Sequence, residues 1–114
     1  MESSTTVERV LTSEIDNSDG VYLYLEDNEW CAYERSAYYL ASLDVPVKLK
    51  REVVRDGYDV VLLKAMLPAD NMYLLLSPNT VLKLVADDRL LFRMNKVIEG
   101  FSEWKESQLV RLPA

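Results

Sequence analysis

Two β-rich runs, Val47 to Val54 and Tyr58 to Leu67, surround the dipeptide Asp56-Gly57. Asp-Gly between such runs is the strongest hairpin signal in the chain, because both residues tolerate the positive φ angles of a tight turn. An antiparallel pair here constrains everything else: an isolated hairpin is unstable in water and needs more strands or a helix on its apolar face. The register stays open at this level. A two-residue turn opposes Val53 to Val60, and a three-residue loop with a Gly bulge opposes Val53 to Asp59. A slip of one residue moves every side chain to the other face.

A second hairpin is written in alternation. Val21, Leu23 and Leu25 fall on one face, and Tyr22 and Tyr24 on the other. Asp27-Asn28 is turn chemistry, and either a two- or a four-residue loop opposes Leu25 to Trp30. That register also sets Leu23 against Ala32 and Tyr22 against Tyr33. Around these hairpins the spacing predicts helices. Residues 1–4 are expected to fray. Thr5-x-x-Glu8 has capping-box form and leads Val7, Val10, Leu11 and Ile15 at helical spacing over 6–15. Ser36 reads as the cap of a helix over about 36–43. Met72 to Leu76 reads as a strand. Ser77-Pro78 then opens a helix to about Ala86, Asp87-Asp88 breaks it, and Leu90 to Met94 is a strand. A last helix is expected over 95–109, with Val97, Ile98, Phe101 and Trp104 as its apolar stripe.

Composition fits one globular domain. The 114 residues are 49% hydrophobic, enough to exclude disorder, and of ordinary domain size. The net charge of −6 is concentrated: residues 1–29 carry −7 and the remainder +1. A protein that lives on phosphate contacts normally shows a basic face, so nucleic acid is not favoured. One cysteine, Cys31, cannot form an internal disulfide, and neither a signal peptide nor a membrane-length apolar run is visible. A cytoplasmic address is expected.

The element order, with three stretches of sequence, resembles the N-terminal domain of the MutS-type mismatch-repair ATPases. The stretches are the threonine-led helix from Thr5, sixteen residues before Val21; VYLYLEDNEWCAYERSAYYLASLDV over 21–45; and VLKLVADDRLLFRM over 81–94. The likeness covers about residues 5–94 and implies that fold. The family reads mismatches with Phe-x-Glu on the hairpin. The aligned positions here are Glu29 and Cys31, and Asp27 stands where the family has glycine. The resemblance therefore implies a fold without mismatch recognition, and 114 residues leave no room for the ATPase.

Six of the eleven aromatic residues, Tyr22, Tyr24, Trp30, Tyr33, Tyr38 and Tyr39, lie within eighteen positions. Tyr and Trp dominate interaction hot spots, so Tyr22, Tyr24, Trp30 and Tyr33 are the candidate binding residues. A hairpin packed on both faces explains the same concentration. If the aliphatic face is core, the tyrosine face is expected to be partly open. Lys48, Lys50, Arg51 and Arg55 are candidate phosphate contacts, although an edge strand guarded by lysine explains them as well. Ser102-x-x-Lys105 has a serine–lysine spacing, but glutamates surround it and no partner motif accompanies it. With no histidine, three glycines and one cysteine, no zinc site, phosphate loop or catalytic set is present. Asp16 to Gly20 lacks the twelve-residue calcium pattern.

These readings combine into a single α+β domain, with a mixed sheet built from hairpins and flanked by helices. The expected function is a non-catalytic protein-interaction module without metal or cofactor, binding a protein partner or self-associating through the aromatic hairpin. The alternative is a nucleic-acid-associated accessory protein using the basic strand.

Overall fold

The computed structural model describes residues 10–43, 45–55, 59–75, 82–94 and 97–112. Residues 10–15 are helical (α1). The other elements are β1 (Gly20–Glu26), β2 (Glu29–Tyr33), α2 (Arg35–Ser42), β3 (Lys48–Arg55) and β4 (Asp59–Pro68). A 3₁₀ turn (Ala69–Leu75), β5 (Lys83–Ala86), β6 (Arg89–Arg93) and α3 (Phe101–Arg111) complete the chain. The strands form one sheet in the order β3-β4-β2-β1-β6-β5. Every pairing is antiparallel. The mixed sheet expected from sequence is corrected on this point. Three hairpins supply the strands, and a parallel pair would need a crossover that no pairing here requires.

The β1–β2 register is as the alternation predicts, with Leu25 opposite Trp30. Asp27 and Asn28 close the turn with φ of 48° and 65°, the signs of a two-residue primed turn. The ladder stops at Tyr24–Cys31, however, so Tyr22 does not pair with Tyr33. In β3–β4, Val53 lies opposite Val61 and Arg55 opposite Asp59, a register neither sequence option gave. The Asp56-Gly57 turn lies outside the described residues.

Two segments change type. Lys83–Ala86, expected to end a helix, is a strand paired to β6, with Ala86 opposite Arg89. Asp87-Asp88 is thus a hairpin turn, and Val81, Leu82, Leu84 and Val85 fit both periods because a short apolar run cannot distinguish them. The proposed cap at Ser77-Pro78 lies outside the described residues. The strand expected at Met72–Leu76 is a 3₁₀ turn over Ala69–Leu75. Met72 and Leu75 turn inward three residues apart, the period of that helix, while Tyr73 and Leu74 face out. The last helix starts at Phe101 rather than 95, since Gly100 takes φ 102° and interrupts helical geometry. Of its expected stripe, Phe101 and Trp104 reach α2, and Val97 lies exposed before the helix.

The sheet has two unlike faces. Val21, Leu23, Ala32, Ala65, Leu67 and Phe92 form the main core with Ala37, Tyr39 and Leu40 of α2. Burying each large aliphatic side chain there contributes roughly 1.5–3 kcal/mol. The other face carries a smaller core of Tyr24, Cys31, Tyr33 and Leu62 under Val10 of α1.

Candidate functional site

The tyrosine face is mostly closed. Tyr24 is 7% exposed and Tyr33 6%, their rings edge-to-face at 5.9 Å, and Tyr22 is half-buried beside them, while half-buried Trp30 lies on the opposite face against the main core. The cover is Val10 and Leu11, from the acidic N-terminal segment. Tyr33 Oη donates to Glu26 Oε2 at 2.5 Å, and Lys64 Nζ donates to Glu26 Oε1 at 2.8 Å. Burial first, and then the Glu26 carboxylate, push the Tyr33 phenol well above its ordinary range. Burial also raises the Cys31 thiol to about 12, so no thiolate is offered to chemistry at neutral pH. The Lys64 ammonium is lowered by burial but raised overall by its bond to Glu26 and by the nearby Cys31 and Glu52.

A polar knot ties α1 to the start of α2. Ser36 is fully buried; its Oγ accepts Tyr22 N–H at 3.0 Å and donates to Glu14 Oε2 at 2.5 Å. It thereby takes over from β2 at the point where the β1 ladder ends. Asn17 closes the connection below, its Nδ2 donating to Gly20 O and its Oδ1 accepting Gly20 N–H, both at 2.8 Å. Burial raises the Glu14 carboxyl, the Ser36 and Asn17 hydrogen bonds oppose that, and the charge of Glu34 adds to it. Glu34 sits at φ 56°, ψ −123°, a sparsely populated conformation that costs of order 1–3 kcal/mol for a residue with a Cβ. Its own N–H donates to Leu63 O at 2.9 Å, and its side chain adds two bonds: Oε2 accepts Leu63 N–H at 3.1 Å, and Oε1 accepts Lys105 Nζ at 2.5 Å. Ser36, expected as a helix cap, and Lys105, which stands among glutamates in the sequence, are thus ties between elements, as are Glu14 and Glu34. Each contact joins residues 14 to 71 positions apart, so no local signal marks them.

A cleft of about 420 Å³ opens beside this knot, between Leu11, Ile15, Arg35 and Phe101. Arg35 lies over the Phe101 ring at 5.1 Å. The carboxylates that line the cleft, Glu14 and Glu34, are engaged by Ser36, Asn17, Lys105 and Leu63, which makes them structural ties. Among the described residues no group of three His, Cys, Asp or Glu side chains could hold a metal ion. No helix among them is long and apolar enough to cross a membrane.

The basic residues are dispersed. β3 is an edge strand, with Lys48 and Lys50 exposed along it. Glu52 interrupts the row and lies 3.9 Å from both Lys50 and Lys64. Arg51 Nη1 instead donates to Leu109 O at 3.2 Å, where a cation suits the last turn of α3. The side chain of Arg55 lies outside the described residues.

At the opposite edge the surface is apolar. Leu84 is 66% exposed, Val85 48% and Leu25 40%. Leu23 and Leu84 are both opposite Leu90, so Leu84, Leu90, Leu23 and Leu25 share one face. Leu25 N–H donates to Asp88 O at 2.8 Å, joining the tips of the two hairpins. Searches against family models, curated proteins and solved structures give no match to this chain.

Proposed function

We propose that the chain is a non-catalytic protein-interaction module that engages its partner at the β1–β6–β5 corner of the sheet. The carrying observation is that exposed Leu25 and Leu84, which share one face of the sheet, and exposed Val85 in the β5 bulge come together at this corner, whereas exposed Ile15, Tyr73 and Val110 lie on other elements. Apolar groups gathered at a sheet edge mark interaction sites more often than scattered ones do. The candidate residues shift accordingly. Tyr24 and Tyr33 support the hairpin from within, and Trp30 and Tyr22 stand half-buried beside it. A buried, unpaired Cys31 suits a reducing cytoplasm.

The MutS-type likeness enters as a reading of fold only. Its support is the strand, turn, strand and helix that follow one another over 20–42. The nucleic-acid-associated alternative has exposed Lys48 and Lys50 in its favour, and Glu52 and the engaged Arg51 against it. Site-resolved photo-crosslinking in cells separates the two. A photoreactive residue at 25 or 84 is expected to yield protein adducts, and one at 50 to yield few. Adducts at 50 alone, or nucleic acid captured there, would refute the proposal.

A further inference from the structure

We infer that α3 is a releasable strap: it leaves the domain body as one unit, hinged at Gly100, while the sheet and α2 stay folded. The strap stands apart from the corner proposed above as the contact site. The two helices that meet here are held differently. α2 buries Ser36, Ala37, Tyr39 and Leu40, whereas no residue of α3 is buried. Phe101 and Trp104 pack on Tyr38, and Trp104 touches the main core, but both rings stay half-exposed. Three side-chain hydrogen bonds add to this. Tyr38 Oη donates to Glu99 O at 2.7 Å ahead of the helix, Lys105 Nζ to Glu34 Oε1 at 2.5 Å in its middle, and Arg51 Nη1 to Leu109 O at 3.2 Å near its end. None of these is fully buried, so water replaces much of what each contributes.

α3 also has little stability of its own. Its eleven residues fall short of the ~12–15 below which isolated helices are marginal in water. Gly100, at its N-cap, offers no side chain to the first N–H groups. Undocked, the helix melts. Phe101, Trp104, Lys105 and Leu109 reach the body together only at helical spacing, so their contacts are lost together. The docked state carries costs that release removes. Arg51, whose guanidinium meets the last turn of α3, has Nε buried with no hydrogen-bond partner among the described residues. Glu34 is held in its sparsely populated conformation partly by Lys105. Gly100 itself takes φ 102°, so the pivot falls on the residue type with the freest backbone. Phe101 lies under Arg35 and lines the cleft of about 420 Å³, so release opens that cleft towards α2 and uncovers Arg35 and Tyr38.

Native-state hydrogen exchange of the full chain in low urea, read amide by amide by NMR, tests the strap. The amides of residues 105–111 are expected to share one opening, at least about 100-fold less protected than the core amides of β4 and α2. That opening should show a smaller urea slope than core exchange, because less surface is exposed. Lys105→Ala should speed exchange across α3 by about tenfold. Protection and slope equal to those of β4 would mean that α3 leaves only on global unfolding, and would overturn the inference. Amides of α3 that exchange one by one without a shared slope would overturn the release as a unit. An α3 exchange rate unmoved by Lys105→Ala would show that the Glu34 tie does not hold the strap, and would overturn it too.

Discussion

Ser36→Ala removes one oxygen atom at the point where three elements meet. Tyr22 N–H, on the side of β1 that β2 no longer pairs, then has no acceptor, and Glu14 loses its shortest hydrogen bond. A buried N–H left unpaired costs about 1–3 kcal/mol, and a hydrogen bond to a charged group contributes about 1.5–3 kcal/mol. The two are not additive here. Glu14 Oε1 keeps Asn17 Nδ2 at 3.2 Å and Ser36 N–H at 3.3 Å, and the carboxyl is not fully buried. Alanine also recovers a few tenths of a kcal/mol in helix propensity. The expected loss is about 2–4 kcal/mol, a large share of the ~5–15 kcal/mol that domains possess. Urea unfolding followed by tryptophan fluorescence reads it as a lower midpoint at unchanged slope. Each kcal/mol also lowers Tm by about 4–8 °C in a domain of this size. Ser42→Ala is the control: Ser42 is exposed, donates only to Tyr39 O at 2.6 Å, and should move stability by about 0.5 kcal/mol or less. If Ser36→Ala shifts the midpoint no more than Ser42→Ala does, Ser36 does not join α1, β1 and α2 as argued.

Glu14→Gln tests the raised carboxyl. The folded pKa lies above the unfolded one, so the stability this group contributes is fully present below the unfolded value, about 4.3, and is lost as pH rises through the folded value. The stability of Glu14→Gln relative to wild type should therefore increase from acid to neutral pH, and a difference independent of pH refutes the assignment. Cys31 should resist a thiol reagent at pH 8 in the folded protein and react at once in urea, given its burial and a pKa of about 12; immediate labelling without denaturant contradicts its packing. Trp104→Ala should cost about 2–3 kcal/mol, below the ~3–5 kcal/mol of a fully buried ring, because Trp104 is only half-buried against Tyr38 at 5.1 Å. An unfolding midpoint that hardly moves would mean that α3 is not held by this contact.

Much of the local structure was legible in the residues themselves. The β1–β2 register follows from strict alternation across Asp27-Asn28, two residues that accept positive φ, so turn and pattern agree within fourteen positions. The helix over Arg35–Ser42 and the lysine-bearing edge at β3 rest on equally local rules. Lys83–Ala86 shows where such rules end. Its apolar residues fit a helix or a strand, and only the return of Arg89–Arg93, wedged between β1 and β5, gives its backbone a ladder. The face of the tyrosines was equally undecided. Alternation assigned Tyr22, Tyr24 and Tyr33 to one side of the sheet, but whether that side meets water depends on where Val10 and Leu11 come to rest. Glu14 and Ser36 owe their roles to that same docking, and Glu34 and Lys105 to the docking of α3, since an ordinary charged or polar residue becomes a tie only when a distant partner is brought within hydrogen-bond reach. Periodicity and turn chemistry act over a few residues and determine the elements. Burial and polar satisfaction act between elements, and they decided which face closed and which edge stayed open.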